Sequence, residues 1–363
     1  MTNTKKSDLG EKLYQWYHEN ARDLPWRHTK DPYKIWLSEI MLQQTQVVTV
    51  IAYYEKFTKA FPTVKHMAEA SVDDVLALWQ GLGYYARARN MKKCADEIVN
   101  KHDGKFPNSY LALLNLPGIG PYTAGAIASI AFGERVPAVD GNVQRVLSRC
   151  FELPYDLSDS KSIKAFQRIL MPLIPEDPSS FTQALMDLGA TICTPKAPVC
   201  DICPLQRDCL AHTNHSELKF PIKTKKIQKK SINMSMALVR YENKILIYKQ
   251  TADRLLQGMW ALPSFADQAD GFELKESVER EFMLKLSKGP KIGSVKHVFT
   301  HLIWHIDLYY FEADNPYEID YPEVSWALWH SLETYALPTV VKKALACVEH
   351  TKIYNLLNDD LIK

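Results

Sequence analysis

A mainly α-helical region followed by an α+β region is the fold class this sequence predicts, and three observations predict it. From Leu9 to Leu210 apolar residues recur at i, i+3 and i+4, in helix-length segments punctuated by Pro and Gly. After Ser231 the pattern changes to short β-rich runs around polar turns. Between the two lie four clustered cysteines, Cys193-x6-Cys200-x2-Cys203-x5-Cys209, and then a polar, Lys-rich stretch. At 363 residues the chain has length for two or three domains with real cores. Its hydrophobic content of 46% and charged content of 24% exclude a disordered chain. The net charge of +2 singles out no partner, so any charge signal lies in its distribution. Met1–Gly10 is polar and no stretch has the length of a membrane span, so the cytoplasm is the expected location.

Taken in order, Trp36, Ile40 and Leu42–Val47 open one helical segment, and Val75, Leu78 and Trp79 mark another. Glu39 falls among Ile35, Trp36, Ile40 and Leu42. A carboxylate there is rare unless it has a partner or a task, and partial burial raises its pKa toward that of a usable general acid. Leu116-Pro117-Gly118-Ile119-Gly120 joins the apolar segment Leu111–Leu114 to a small-residue helix beginning at Thr123. Gly118 and Gly120 allow a tight turn with amide N–H groups facing an anion, although such a run is also an ordinary interhelical turn. Val139-Asp140-Gly141-Asn142-Val143 places a carboxylate at a helix start, where a simple N-cap is the plain alternative.

Four thiols so close together, in a chain long enough to build its own core, point to a metal rather than to disulfides. Structural zinc usually takes two Cys-x2-Cys knuckles, and one is present; four thiolates on one loop suit a [4Fe–4S] cluster, though the spacing is not that of ferredoxins. Cys94, Cys150 and Cys347 stand alone and are read as small buried hydrophobes. Ser216–Ser231, with Lys219, Lys223, Lys225, Lys226, Lys229 and Lys230, reads as a solvated connector. Strands are expected over Asn233–Tyr241, Lys244–Gln250, Ser294–Phe299 and His301–Phe311, and helices over Glu273–Lys288 and Pro338–Leu357.

The hairpin, the Asp after it and the cysteine loop together resemble the endonuclease-III-like superfamily of DNA glycosylases. Leu24-Pro25-Trp26-Arg27, Trp36 to Gln46 (WLSEIMLQQTQ) and Gly81-Leu82-Gly83-Tyr84-Tyr85-Ala86-Arg87 are similar to signatures of its A/G-specific adenine glycosylase (MutY) branch. The resemblance implies a helix-hairpin-helix domain over 1–215 with a [4Fe–4S] loop at 193–209, a linker over 216–231, and a Nudix-like domain over 232–363. It implies removal of adenine paired with 8-oxoguanine or guanine in duplex DNA, by a monomer. Breaking an N-glycosidic bond takes a proton on the leaving base and negative charge beside the cationic sugar. By resemblance Glu39 is the proton donor and later activates water, while Asp140, expected to stay ionised, stabilises the sugar and can link to it transiently. Bifunctional relatives carry a lysine after the hairpin; Tyr122 stands there instead and cannot form an imine, which implies a monofunctional enzyme with Tyr122 near Asp140 and Asn142.

Gln44 and Tyr84 are the expected wedges for the gap left by the flipped base, with Thr45, Leu82 and Gly83 beside them. Trp26, Arg27 and Gln183 are expected in the pocket wall; relatives carry Glu at the last of these. The cluster is expected to brace the loop carrying Lys196 and Arg207 against phosphates rather than to transfer electrons. Leu255 to Pro263 resembles a Nudix segment, but Arg280-Glu281-Phe282-Met283-Leu284-Lys285 lacks the acidic pair that holds Mg²⁺, so binding without hydrolysis is expected. The family's Phe-Ser-His hairpin for 8-oxoguanine corresponds to Phe299-Thr300-His301, whose threonine keeps the hydroxyl and restricts its rotamers. Three rivals remain at this point: a bifunctional pyrimidine-lesion glycosylase, a non-catalytic DNA-binding module, and a nucleotide pyrophosphohydrolase acting through the second domain.

Overall fold

The computed structural model describes residues 3–224, 228–251, 255–266, 270–314 and 322–358. Its contacts divide the chain into two compact units, 1–69 with 90–225, and 70–89 with 226–363.

The first unit is helical. Its helices begin where the chain offers caps: Asp31 accepts from Tyr33 N–H at 2.9 Å, Asp140 from Val143 N–H at 2.7 Å and Asp177 from Ser180 N–H at 3.1 Å. Pro32, Pro121 and Pro178 take first-turn positions where no N–H is missed. Leu13, Val143, Phe166, Phe181 and Leu188 share one core, which joins the helices Asn3–Asn20, Gly141–Phe151 and Pro178–Thr191. Pro121–Phe132 runs through the interior against Pro32–Leu42 and is buried from Thr123 to Ile130. Its small residues permit that approach, because a Cβ on Gly125 would lie 2.4 Å from the Pro137 carbonyl oxygen.

The second unit holds a mixed sheet. β1 (Lys230–Tyr241) pairs in parallel with β6 (Leu302–Glu312) and antiparallel with β2 (Lys244–Lys249), giving the order β3-β2-β1-β6-β5. β3 is Trp260–Ala261 and β5 is Lys291–Val298; β4 (Ser264–Ala266) pairs with β1, and β7 (Val324–Leu328) with β2. Consecutive buried residues Met236 to Val239 show a central strand covered on both faces.

Several boundaries differ from those expected. The helix expected over Glu273–Lys288 runs Gly271–Phe282. Met283 turns left-handed at φ +53°, and the Glu279 side chain takes the Leu286 N–H at 2.8 Å, so the following residues leave for the sheet. The tail forms two helices, Thr339–Ala346 and Lys352–Asn358, not one. Residues 70–89, expected in the first domain, belong to the second unit: Lys249 Nζ meets Asp73 at 2.8 Å, Gln80 Nε2 donates to the Leu337 carbonyl at 2.6 Å, and Arg89 to that of Gln257 at 2.7 Å. The connector is also shorter than 216–231. Arg149 Nε takes the Glu217 and Phe220 carbonyls at 2.8 and 3.1 Å, Leu157 N–H donates to Ile222 O at 2.9 Å, and Lys230 already lies in β1. Lys225 and Lys226 lie outside the described residues.

Candidate active site and recognition hairpin

Glu39 projects from Pro32–Leu42 and Tyr122 from the first turn of Pro121–Phe132, so the packing of those two helices brings them together. Asp140 caps the next helix. All three line one cavity of about 800 Å³ in the first unit, with Leu24, Trp26, Arg27, Gln44, Thr45, Asn142 and Met186 among its other walls. Glu39 is 5% exposed, and burial pushes its carboxyl up to about 6. The hydrogen bond donated by the Tyr122 hydroxyl and the Arg27 charge pull it back, while the Asp140 charge adds to the rise. Burial also pushes the Tyr122 phenol well above its usual value, so it stays a donor.

Asp140, expected to stay ionised, is pulled both ways by its setting. Burial pushes its carboxyl upward, and the Val143 N–H, the Asn142 side-chain amide at 2.9 Å and the Arg145 charge work against that rise. Asn142 is itself fixed. Arg145 Nη2 donates to Asn142 Oδ1 at 2.8 Å and to the Gly189 carbonyl at 2.7 Å, and Arg145 Nε donates to the Cys193 carbonyl at 2.8 Å. A Cβ on Gly189 would lie 2.6 Å from that of Asn142, so only glycine lets the two helices meet there.

Not every expected residue reaches the cavity. Gln183 is buried on Pro178–Thr191 but turns back to its own helix, donating to the Ser179 carbonyl and hydroxyl at 3.3 Å, and it is not a lining residue. Sequence reasoning missed Asp187, four residues further along. It is fully buried and binds two arginines of the cavity wall, Arg22 Nη2 at 2.6 Å and Arg27 Nη2 at 2.7 Å. Its signal matches that of Glu39, a carboxylate in an apolar helical run. Gly118, at φ +74°, turns the hairpin; a Cβ there would come within 2.7 Å of the Asn90 Cβ, and Gly120 stands at the N-cap of the following helix.

The four cysteines line a single small cavity together with Arg149, Cys150 and Leu188. Arg149 Nη1 lies 3.4 Å from Cys193 Sγ, and the N–H groups of Leu205 and of Ala211 and His212 face Cys203 and Cys209. Such donors suit sulfurs that carry negative charge. A tetrahedral zinc would hold its sulfurs about 3.8 Å apart. Among the described residues the only trio of ligand atoms within 4.8 Å is Cys200, His212 and Glu217, so no three of the four sulfurs approach that spacing. The donor set fits a larger thiolate-bound group.

In the second unit, Leu82 is buried, Gly83 and Tyr84 take φ +71° and +49°, and Tyr84 is 45% exposed. Its hydroxyl lies 2.6 Å from Thr300 Oγ1, and the Arg87 guanidinium sits 5.5 Å from its ring centre. Thr300 is at the tip of the β5–β6 hairpin, closed by Phe299 N–H to Leu302 O at 2.8 Å, and the Phe299 ring packs edge-on to Trp304 at 4.8 Å. Tyr84, Phe299, Thr300 and His301 line a second cavity of about 520 Å³.

Residues 37–172 match the HhH-GPD superfamily of base excision DNA repair proteins, and residues 235–347 match a NUDIX domain. The helical unit resembles two solved structures. One is a thermostable thymine-DNA glycosylase at 30% identity and TM-score 0.54, covering 58% of this chain and 98% of that one. The other is a non-covalent endonuclease III–DNA complex at 22% and 0.51, covering 59% and 98%, a likeness of fold alone. The class is therefore a helix-hairpin-helix base excision repair protein with a Nudix-like second domain. The adenine DNA glycosylase of Buchnera aphidicola from Acyrthosiphon pisum is 36% identical over 347 residues, 92% of this chain and 95% of that protein. The human adenine DNA glycosylase is 31% identical over 398 residues, 91% of this chain and 72% of that protein. The chain belongs to the adenine DNA glycosylase family.

Proposed function

We propose that this enzyme hydrolyses the N-glycosyl bond of adenine mispaired with 8-oxoguanine or guanine in duplex DNA, as a monofunctional glycosylase. The observation that supports this most is the shared cavity of Glu39 and Asp140, two carboxylates in different surroundings with Tyr122 donating to the first. An adenosine swung from the stack enters between Trp26 and Met186, with extrusion costing a few kcal/mol. Glu39, protonated in part near pH 6, gives its proton to a ring nitrogen of the base. The glycosidic electron pair leaves with adenine, and Asp140, held by Val143 and Asn142, faces the cation left on the sugar. Glu39, now a carboxylate, takes a proton from the attacking water.

The second unit reads the opposite base through Phe299, Thr300 and His301, with Tyr84 as the inserted ring and Gln44 as its counterpart in the first unit. Gly118 and Gly120 offer N–H groups to a backbone phosphate. Cys193, Cys200, Cys203 and Cys209 hold a [4Fe–4S] cluster, which supplies a rigid brace for the loop carrying Lys196 and Arg207. Among the described residues no helix is long and apolar enough to cross a membrane. On the proposed reading the enzyme works as a monomer where the DNA is, in the cytoplasm.

Strand scission tests the monofunctional reading. Duplexes carrying adenine opposite 8-oxoguanine, guanine or thymine are incubated and divided into samples with and without hot alkali. Cleavage opposite 8-oxoguanine and guanine after alkali alone is expected. Efficient cleavage without alkali, with a borohydride-trapped adduct, would overturn it.

A further inference from the structure

We infer that the segment Pro221–Thr224 is a strap fixed to the first unit that places Lys223 on a DNA phosphate at the mouth of the adenine cavity. The inference rests on the glycosylase reading above. Pro221 and Lys223 line the same cavity as Glu39 and Asp140, as does Leu157 opposite them. The strap is pinned at both ends. Phe220 O accepts from Arg149 at 3.1 Å, and Ile222 bridges Asp156 in parallel, with Leu157 N–H donating to Ile222 O at 2.9 Å. Beyond Lys223, the Thr224 hydroxyl donates to Asp156, whose carboxyl this bond and the Ser158 N–H hold down at about 2.

Charge separates Lys223 from its neighbours. Four cationic side chains line the cavity: Arg22, Arg27, Arg145 and Lys223. Arg22 and Arg27 share one buried carboxylate, Asp187, and Arg145 is engaged by carbonyls and Asn142. Lys223 is exposed, and among the described residues no carboxylate lies within ion-pair distance of it. A nucleotide turned out of the stack carries its two flanking phosphates to the rim of the pocket that takes its base. A flexible ammonium on an anchored backbone, facing that rim, is suited to such a phosphate as a point charge.

The test is the salt dependence of binding to a duplex with adenine opposite 8-oxoguanine, measured by fluorescence anisotropy in a Glu39→Gln background so that the duplex is not consumed. Loss of one phosphate contact lowers the slope of log K against log salt by about 0.9. Lys223→Gln is expected to show that fall and Lys223→Arg to keep the parent slope. Asp156→Asn, with Lys223 intact, is expected to lower the slope through release of the strap, with the melting temperature confirming a folded protein. A parent slope in Lys223→Gln overturns the contact, and one in Asp156→Asn overturns the pin. A borohydride adduct that disappears with Lys223→Gln overturns the phosphate role in favour of an amine that attacks the sugar. Failure of the glycosylase reading is distinguishable, since the wild-type enzyme would then release no adenine from the same duplex.

Discussion

Glu39 is a carboxylate whose useful state is set by two opposing neighbours, burial that raises its pKa and the Tyr122 hydroxyl that lowers it. Removing the hydroxyl has a definite sign. Tyr122→Phe deletes a donor to the charged form, so the carboxyl rises above about 6. Proton donation is lost as pH rises through that pKa, so the alkaline fall in single-turnover rate is expected to move to higher pH in the variant. A fall at unchanged pH would show that Glu39 is not the titrating acid. Glu39 was legible because a carboxylate among Trp36, Ile40 and Leu42 has few structural excuses. Asp187 carries the same signal between Met186 and Leu188, yet its arginine partners lie 160 and 165 residues away in sequence, and no local pattern reveals them. Gln183 shows that a helical position near the pocket does not fix where a side chain turns.

The elements explain how these residues stay in register. Asn142 holds Asp140 only while the helices Gly141–Phe151 and Pro178–Thr191 touch at Gly189. Gly189→Ala introduces a Cβ 2.6 Å from that of Asn142, and overpacking of this kind costs about 1–3 kcal/mol. The expected outcome is a loss of base release of tenfold or more, with a lowered melting temperature. Wild-type excision would show that the contact does not position Asp140. Periodicity disclosed most helices and strands, but not where they stop. The helix ending at Phe282 does so because the Glu279 side chain takes the Leu286 N–H, a bond outside the helical repeat. The left-handed Met283 also breaks the helix just before the point where a Nudix enzyme would set its acidic pair.

Across the whole molecule, composition change marked two folds, and the cysteine spacing marked the loop that closes the first. The spacing already favours iron–sulfur over zinc, and among the described residues no three of the four sulfurs lie within 4.8 Å of one another. The purified protein is accordingly expected to contain about four iron atoms and four sulfides per chain. Cys203→Ser should reduce both and lower the melting temperature, and one zinc with no sulfide would contradict the cluster. Residues 70–89 lie within the HhH-GPD match, as the sequence reading has them, yet by contact they cluster with the sheet unit. Their capping box and apolar spacing specify a helix well, but only the bonds to Lys249, Leu337 and Gln257 assign that helix to the sheet unit.

In the proposed reaction Glu39 and Asp140 act together on the glycosidic bond in one cavity. Single-turnover release of adenine opposite 8-oxoguanine, measured alongside duplex affinity for Glu39→Gln and Asp140→Asn, tests it most directly. A rate reduced by at least about 10³ is expected in each variant, within the range ascribed to positioned acid–base and charge-stabilising groups, with affinity changed only a few-fold. Release at the wild-type rate by either variant would contradict it.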